Sequence, residues 1–122
     1  VITLARVVCT LSCVPSQWDA WDTDGRYYYL RYRFGRGTVD TYDDPDSDTW
    51  TVIPDGHIAQ FHDEDDPWSG DIELDEFLDR TGMTLAPGAT VVSHEEYLRL
   101  ARQTSADIKT LRRQLGRDAP TA

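Results

Sequence analysis

Arg26-Tyr27-Tyr28-Tyr29-Leu30-Arg31-Tyr32-Arg33-Phe34 decides the architecture. Side chains on an extended chain alternate sides, so Tyr28, Leu30, Tyr32 and Phe34 fall on one face and Tyr27, Tyr29, Arg31 and Arg33 on the other. Aromatic residues in that period predict a strand with one apolar and one amphipathic face. Just before it, Thr23-Asp24-Gly25 is a hairpin signal, because glycine takes the positive φ of a tight turn without steric penalty. Just after it, Gly35-Arg36-Gly37 marks another turn, and Thr38 to Tyr42 is again rich in strand formers.

Working outward, Val1 to Cys13 alternates with a period of two, and the Val14-Pro15-Ser16 turn leads into Gln17 to Asp22, which holds Trp18 and Trp21. Beyond Tyr42, Asp43 to Asp48 is an acidic turn. Short strands are expected near Trp50 to Ile53 and from His57 to His62, with the two histidines on opposite faces. Asp71 or Ser69 can cap a helix carrying Ile72, Leu74, Phe77 and Leu78 at helical spacing as far as Arg80, with Thr81-Gly82 as its stop. Leu85-Ala86-Pro87-Gly88 reads as a loop. Ser93-His94-Glu95-Glu96 matches a capping box, which starts a final helix at His94 that runs to about Leu115 and ends at Gly116.

Strands first and helices last predict an α+β fold: an antiparallel β-meander over residues 1 to about 62, then a short helix and a long C-terminal helix. At 122 residues the chain fits one domain, here 1–116, followed by a frayed tail over 117–122. Its longest apolar run is too short to span a bilayer, which predicts a soluble, cytoplasmic protein with no membrane partner. Cys9 and Cys13 are too few for a disulfide framework and too far apart on one strand to bridge, so free thiols are expected.

Charge is the least ordinary feature. The net charge is −10; residues 1–39 carry +2, residues 40–79 carry fifteen acids and no Lys or Arg, and residues 80–122 carry +3. A field of that sign repels nucleic acid and anionic membrane and attracts basic proteins. The function that follows is a non-enzymatic protein-interaction or regulatory module presenting an acidic surface to a basic partner, through Asp43, Asp44, Asp46 and Asp48. A DNA-mimic inhibitor of a DNA-binding protein is the variant in which the carboxylates stand in for phosphates. Tyr27, Tyr29, Arg31 and Arg33 offer a second surface, because Tyr and Arg are enriched where binding energy concentrates; the competing reading is that a helix covers them.

Other chemistries have thinner support. Counting an EF-hand loop from Asp65 puts Gly70 at position 6, Asp71 at 7, Glu73 at 9 and Glu76 at 12, a degenerate Ca²⁺ site in which Pro67 occupies a ligand position. A register from Asp44 places acids at Asp46, Asp48 and Asp55 but has Thr49 where the glycine belongs. His62 followed by Asp63, Glu64 and Asp65 would serve a metal-dependent hydrolase only if neighbours that point in different directions converged. No nucleophile elbow or phosphate-cradling glycine loop is present. In the final helix Tyr97, Ala101, Thr104, Ile108, Leu111 and Leu115 are spaced 4, 3, 4, 3, 4, a seam that suits either packing on the sheet or a homodimer.

From Pro15 to Asp22 and from Asp24 to Val39 the chain resembles short uncharacterised proteins of actinobacteria and of their phages or mobile elements, over about a fifth of its length, with looser similarity around Ile72 to Leu85. The resemblance carries no activity that transfers to particular residues, and implies an intracellular accessory protein.

Overall fold

The structure, a computed structural model, describes residues 1–13, 15–44, 49, 52–104 and 108–117. Its centre is one six-stranded sheet of β1 (Thr3–Leu11), β2 (Ser16–Asp22), β3 (Tyr27–Arg33), β4 (Arg36–Thr41), β5 (Gly56–His62) and β6 (Thr84–Val92), in the order β5-β4-β3-β2-β1-β6. Helices α1 (Leu74–Thr81), α2 (His94–Thr104) and α3 (Ile108–Arg117) pack on it. No helix among the described residues is long and apolar enough to cross a membrane.

This architecture corrects the expected one in two places. Residues 1 to 62 do not form a self-contained meander, because β1, which a meander leaves as an edge, is an interior strand with β6 parallel on its far side, and the sheet is mixed. The segment expected to be a loop supplies that strand. Pairing runs Thr3 to Thr84 and Leu4 to Leu85, then skips to Arg6 with Thr90 and Val8 with Val92. Pro87 and Gly88, whose φ is +79°, sit in the skipped stretch. A proline is tolerated there because the strand is at the sheet edge and bulged, so no ladder hydrogen bond is lost.

The second correction is that no long C-terminal helix forms; α2 and α3 are separate. Tyr97 of α2 and Leu111 and Leu115 of α3 join one buried cluster on the sheet, which one straight helix, rising about 1.5 Å per residue, would hold too far apart to share. Ser93 Oγ accepts the Glu96 N–H at 3.1 Å, as a capping residue should, but the Glu96 carboxylate turns to Arg99 instead of back to the cap. Gly116 does not end α3. It lies inside the helix, where a Cβ would come 2.5 Å from Trp21 Nε1, so its bareness allows close approach to the sheet.

Smaller differences follow the same logic. Phe34 leaves the apolar face of β3 for the turn. A register shift between Val39 and Asp40 pairs Asp40 with His57 and Arg36 with His62, which brings both histidines to one face. Helix α1 starts at Leu74 with Glu73 at its N-cap, later than Asp71 or Ser69 would place it, and stops at Gly82 with φ +75° as expected. The expected strand over Trp50 to Ile53 lies partly outside the described residues, and Val52 and Ile53 are exposed and in no strand.

The sheet buries both faces. On one, Leu4, Val7, Trp18, Leu30 and Val39 meet Phe77 and Leu78 of α1, with Phe77 5.2 Å from Trp18 and 5.4 Å from Phe61 by ring centroid. Full burial of a side chain such as Phe77 stabilises by about 1.5–3 kcal/mol. On the other, Val8, Trp21, Tyr27, Tyr29 and Tyr42 meet Tyr97 of α2 and Leu111 and Leu115 of α3. The seam residues Tyr97, Ala101, Leu111 and Leu115 therefore pack on the protein's own sheet; the side chains of Thr104 and Ile108 lie outside the described residues.

Candidate functional site

At one end of β3 the β2–β3 turn and the start of the β4–β5 connection stand side by side. In the turn, Asp22 Oδ1 accepts the N–H groups of Asp24 and Arg26, both at 2.9 Å, and Oδ2 accepts the Tyr28 hydroxyl at 2.9 Å. Burial, reinforced by that carboxylate, pushes the Tyr28 phenol up. Gly25 takes φ +84°, the conformation the Asp-Gly signal requires. Opposite, Asp55 Oδ2 accepts the Asp43 N–H at 2.8 Å, and the Asp55 N–H donates to Thr41 O at 2.9 Å, which pins both ends of the connection.

Between them opens a cleft of about 700 Å³. The edges of Trp21, Tyr27 and Tyr42 line it, and Asp22, Asp24 and Asp43 stand around it with Arg26 as the one cationic lining residue among the described residues. The rings form a chain, Trp21 to Tyr27 at 5.6 Å and Tyr27 to Tyr42 at 6.3 Å.

Behind the rings lies a buried polar cluster. Tyr27 donates its hydroxyl hydrogen to Asp19 Oδ1, Arg112 Nε donates to Asp19 Oδ2 at 3.3 Å, and the guanidinium carbon lies 5.2 Å from the Tyr27 ring centroid. Burial pushes the Asp19 carboxyl up against the opposing pull of Arg112 and Tyr27. It also pushes Tyr27 well up, and Tyr29 up to about 12, so both phenols are protonated at neutral pH. This cluster braces the aromatic floor, and no alternation or motif announces it: Asp19 and Arg112 are 93 residues apart.

The residues expected from sequence are distributed as follows. Asp43 and Asp44 are exposed beside the cleft, while Asp46 and Asp48 lie outside the described residues. Tyr27 and Tyr29 are 5% and 3% exposed beneath α2 and α3, so the four-residue platform on β3 is split. Arg31 and Arg33 are half-buried and line a separate groove of about 500 Å³ with Arg36, Asp40 and His57. His57 Nδ1 lies 2.6 Å from Asp40 Oδ1. Asp65 occupies an exposed turn, Asp71 and Glu73 are exposed on the stretch leading into α1, and Glu76 is exposed in its first turn. Among the described residues no three His, Cys, Asp or Glu gather as a metal-holding group. Cys9 and Cys13 are free thiols, the former pushed up by burial.

No family model, curated protein or solved structure matches the chain.

Proposed function

We propose that the protein is a non-enzymatic interaction module that offers its acidic, aromatic-lined cleft to a basic segment of a partner protein. The observation that carries this reading is the juxtaposition in one cleft of three aromatic edges and three aspartates. Lysine or arginine side chains suit such a place twice over: the carboxylates attract their cationic heads from a distance, and the aromatic edges pack against their apolar stems. Asp22 is committed to the turn, and the exposed side chains of Asp24, Asp43 and Asp44 set the negative field that steers a partner. A net charge of −10 extends the attraction to the Debye length, about 8 Å at physiological ionic strength.

Titration with an Arg- and Lys-rich peptide, followed by NMR shifts of Trp21 and Tyr42, tests the reading. Affinity should fall as salt rises, and Asp24→Ser, Asp43→Ser and Asp44→Ser together should weaken it about tenfold with the fold intact. Binding that ignores salt and survives the triple substitution would overturn it. In a pull-down, capture of a basic DNA-binding protein that competing duplex DNA displaces would identify the carboxylates as stand-ins for phosphates.

A further inference from the structure

The opposite end of β3 has a different chemistry. The β3–β4 turn is Phe34-Gly35, with φ +54° at Phe34 and +70° at Gly35. A left-handed backbone is strained for a bulky side chain, and turns of this kind favour Asn or Gly at that position. Core packing does not offset the strain, because Phe34 is 55% exposed and its ring neighbour Trp68 is 81% exposed, the two rings meeting edge to face at 6.3 Å.

The patch is rigid. The Gly35 N–H donates to Ser69 O at 2.7 Å, the Asp63 N–H donates to Gly35 O at 2.6 Å, and a Cβ on Gly35 would come 2.6 Å from Asp66 O. Turn and loop are thereby locked together as one body.

That body carries charge of both signs. Arg33 and Arg36 are directly opposite each other across β3 and β4, a like-charge pairing that destabilises a sheet. Neither joins an ion pair among the described residues; Arg33 lies 4.7 Å from the Phe34 centroid, and Arg36 donates to Gln60 Oε1 at 2.7 Å. The locked loop presents Glu64, Asp65 and Asp66, all exposed and likewise in no ion pair among the described residues. A polyanion would meet those three carboxylates, and a polycation would meet the two guanidiniums. A surface that satisfies both is the same patch turned by a two-fold axis, as in any isologous contact.

We propose that the Phe34–Trp68 end is the contact surface of a symmetric dimer, in which the rings pack across the axis and Arg33 and Arg36 of one protomer face Glu64, Asp65 and Asp66 of its partner. The exposed aromatics make a small hydrophobic centre, well short of a standard interface, so dissociation belongs in the range of about 10–100 μM. The acidic cleft is at the other end of β3 and stays open in this arrangement.

Sedimentation velocity on the full chain from micromolar to millimolar concentration tests it. The unmodified protein should shift to a dimer with rising concentration, and Trp68→Ala should stay monomeric. Phe34→Asn should also stay monomeric while its Tm rises by about 2–6 °C, because asparagine tolerates the left-handed turn. Arg33→Glu with Arg36→Glu, and separately Glu64→Arg with Asp65→Arg and Asp66→Arg, should each fail to self-associate yet form a heterodimer when mixed. A protein monomeric at every concentration would overturn the proposal, as would a dimer that persists in both Phe34→Asn and Trp68→Ala.

Discussion

Two Asp-Tyr-Arg clusters tie helices to opposite faces of the sheet, built from the same three groups in the same order of contact. Asp19, Tyr27 and Arg112 hold α3; Asp63, Tyr32 and Arg80 hold α1, with Arg80 Nη1 2.7 Å from Asp63 Oδ1 and its guanidinium 4.0 Å from the Phe61 centroid. What differs is water. The side chains of Arg112 and Asp19 are 9% and 4% exposed, those of Arg80 and Asp63 28% and 29%. In the first cluster burial outweighs the partners and the Asp19 carboxyl is pushed up. In the second, the Tyr32 hydrogen bond, aided by Arg80, outweighs burial and the Asp63 carboxyl is held down. Identical partners thus act in opposite directions once solvent is removed, because desolvating a charge opposes the attraction that pairs it.

The largest test of that contrast removes one buried partner. Among the described residues Arg112→Ala leaves the buried Asp19 carboxyl with Tyr27 as its side-chain hydrogen-bond partner, and should lower stability by about 3–5 kcal/mol in urea unfolding. Replacing all three polar members, Asp19→Leu with Tyr27→Phe and Arg112→Met, should recover most of that loss, since an apolar cluster carries no desolvation penalty and leaves no buried hydroxyl unpaired. A triple variant no more stable than Arg112→Ala would mean that the buried cluster attracts more strongly than its dehydration opposes.

At the exposed cluster the expected effect is smaller. Arg80→Ala should lower stability by about 1 kcal/mol, combining a screened ion pair with lost packing on Phe61. A loss as large as that of Arg112→Ala would erase the distinction drawn from solvent.

The smallest signal is in pH dependence, where the clusters have opposite signs. Asp63, held low, contributes stability that is present above the unfolded value of about 3.9 and is lost as pH falls through the folded value. Asp19, held high, binds its proton more tightly when folded, so its contribution declines as pH rises from about 3.9 through its raised folded value. Unfolding free energies against pH for Asp19→Asn and Asp63→Asn should therefore lose slopes of opposite sign. Matching slopes would refute the account.

The legible parts of this molecule were those with local causes. Alternation in Arg26 to Phe34 placed Tyr28, Leu30 and Tyr32 on the face they occupy, and Ser93 and Gly82 cap their helices. Hidden parts depended on partners distant in sequence. Pro87-Gly88 reads as a break until β1 is seen accepting a bulged edge strand, and a seam at heptad spacing reads through Thr104 to Ile108 although both helices fold down on one sheet face. The β4–β5 register shift that gathers His57, Asp40, Arg36 and His62 on one side has no local signature. Of the candidate site, the acidity was visible in composition, while the aromatic lining required the β2–β3 and β4–β5 connections to stand side by side.

The pairing of β1 with β6 also orders events on the ribosome. Arg6 and Thr90, joined by a 3.0 Å hydrogen bond, are 84 residues apart, so β1 through β5 can emerge and pair while the outer edge of β1 has nothing to hold. Val7 and Val8, fully buried at the end, wait beside that open edge. Unpaired strand edges with apolar side chains are templates for pairing with other chains, and slow long-range closure lengthens their exposure. A nascent chain stalled before Thr84 is therefore a natural client for a chaperone.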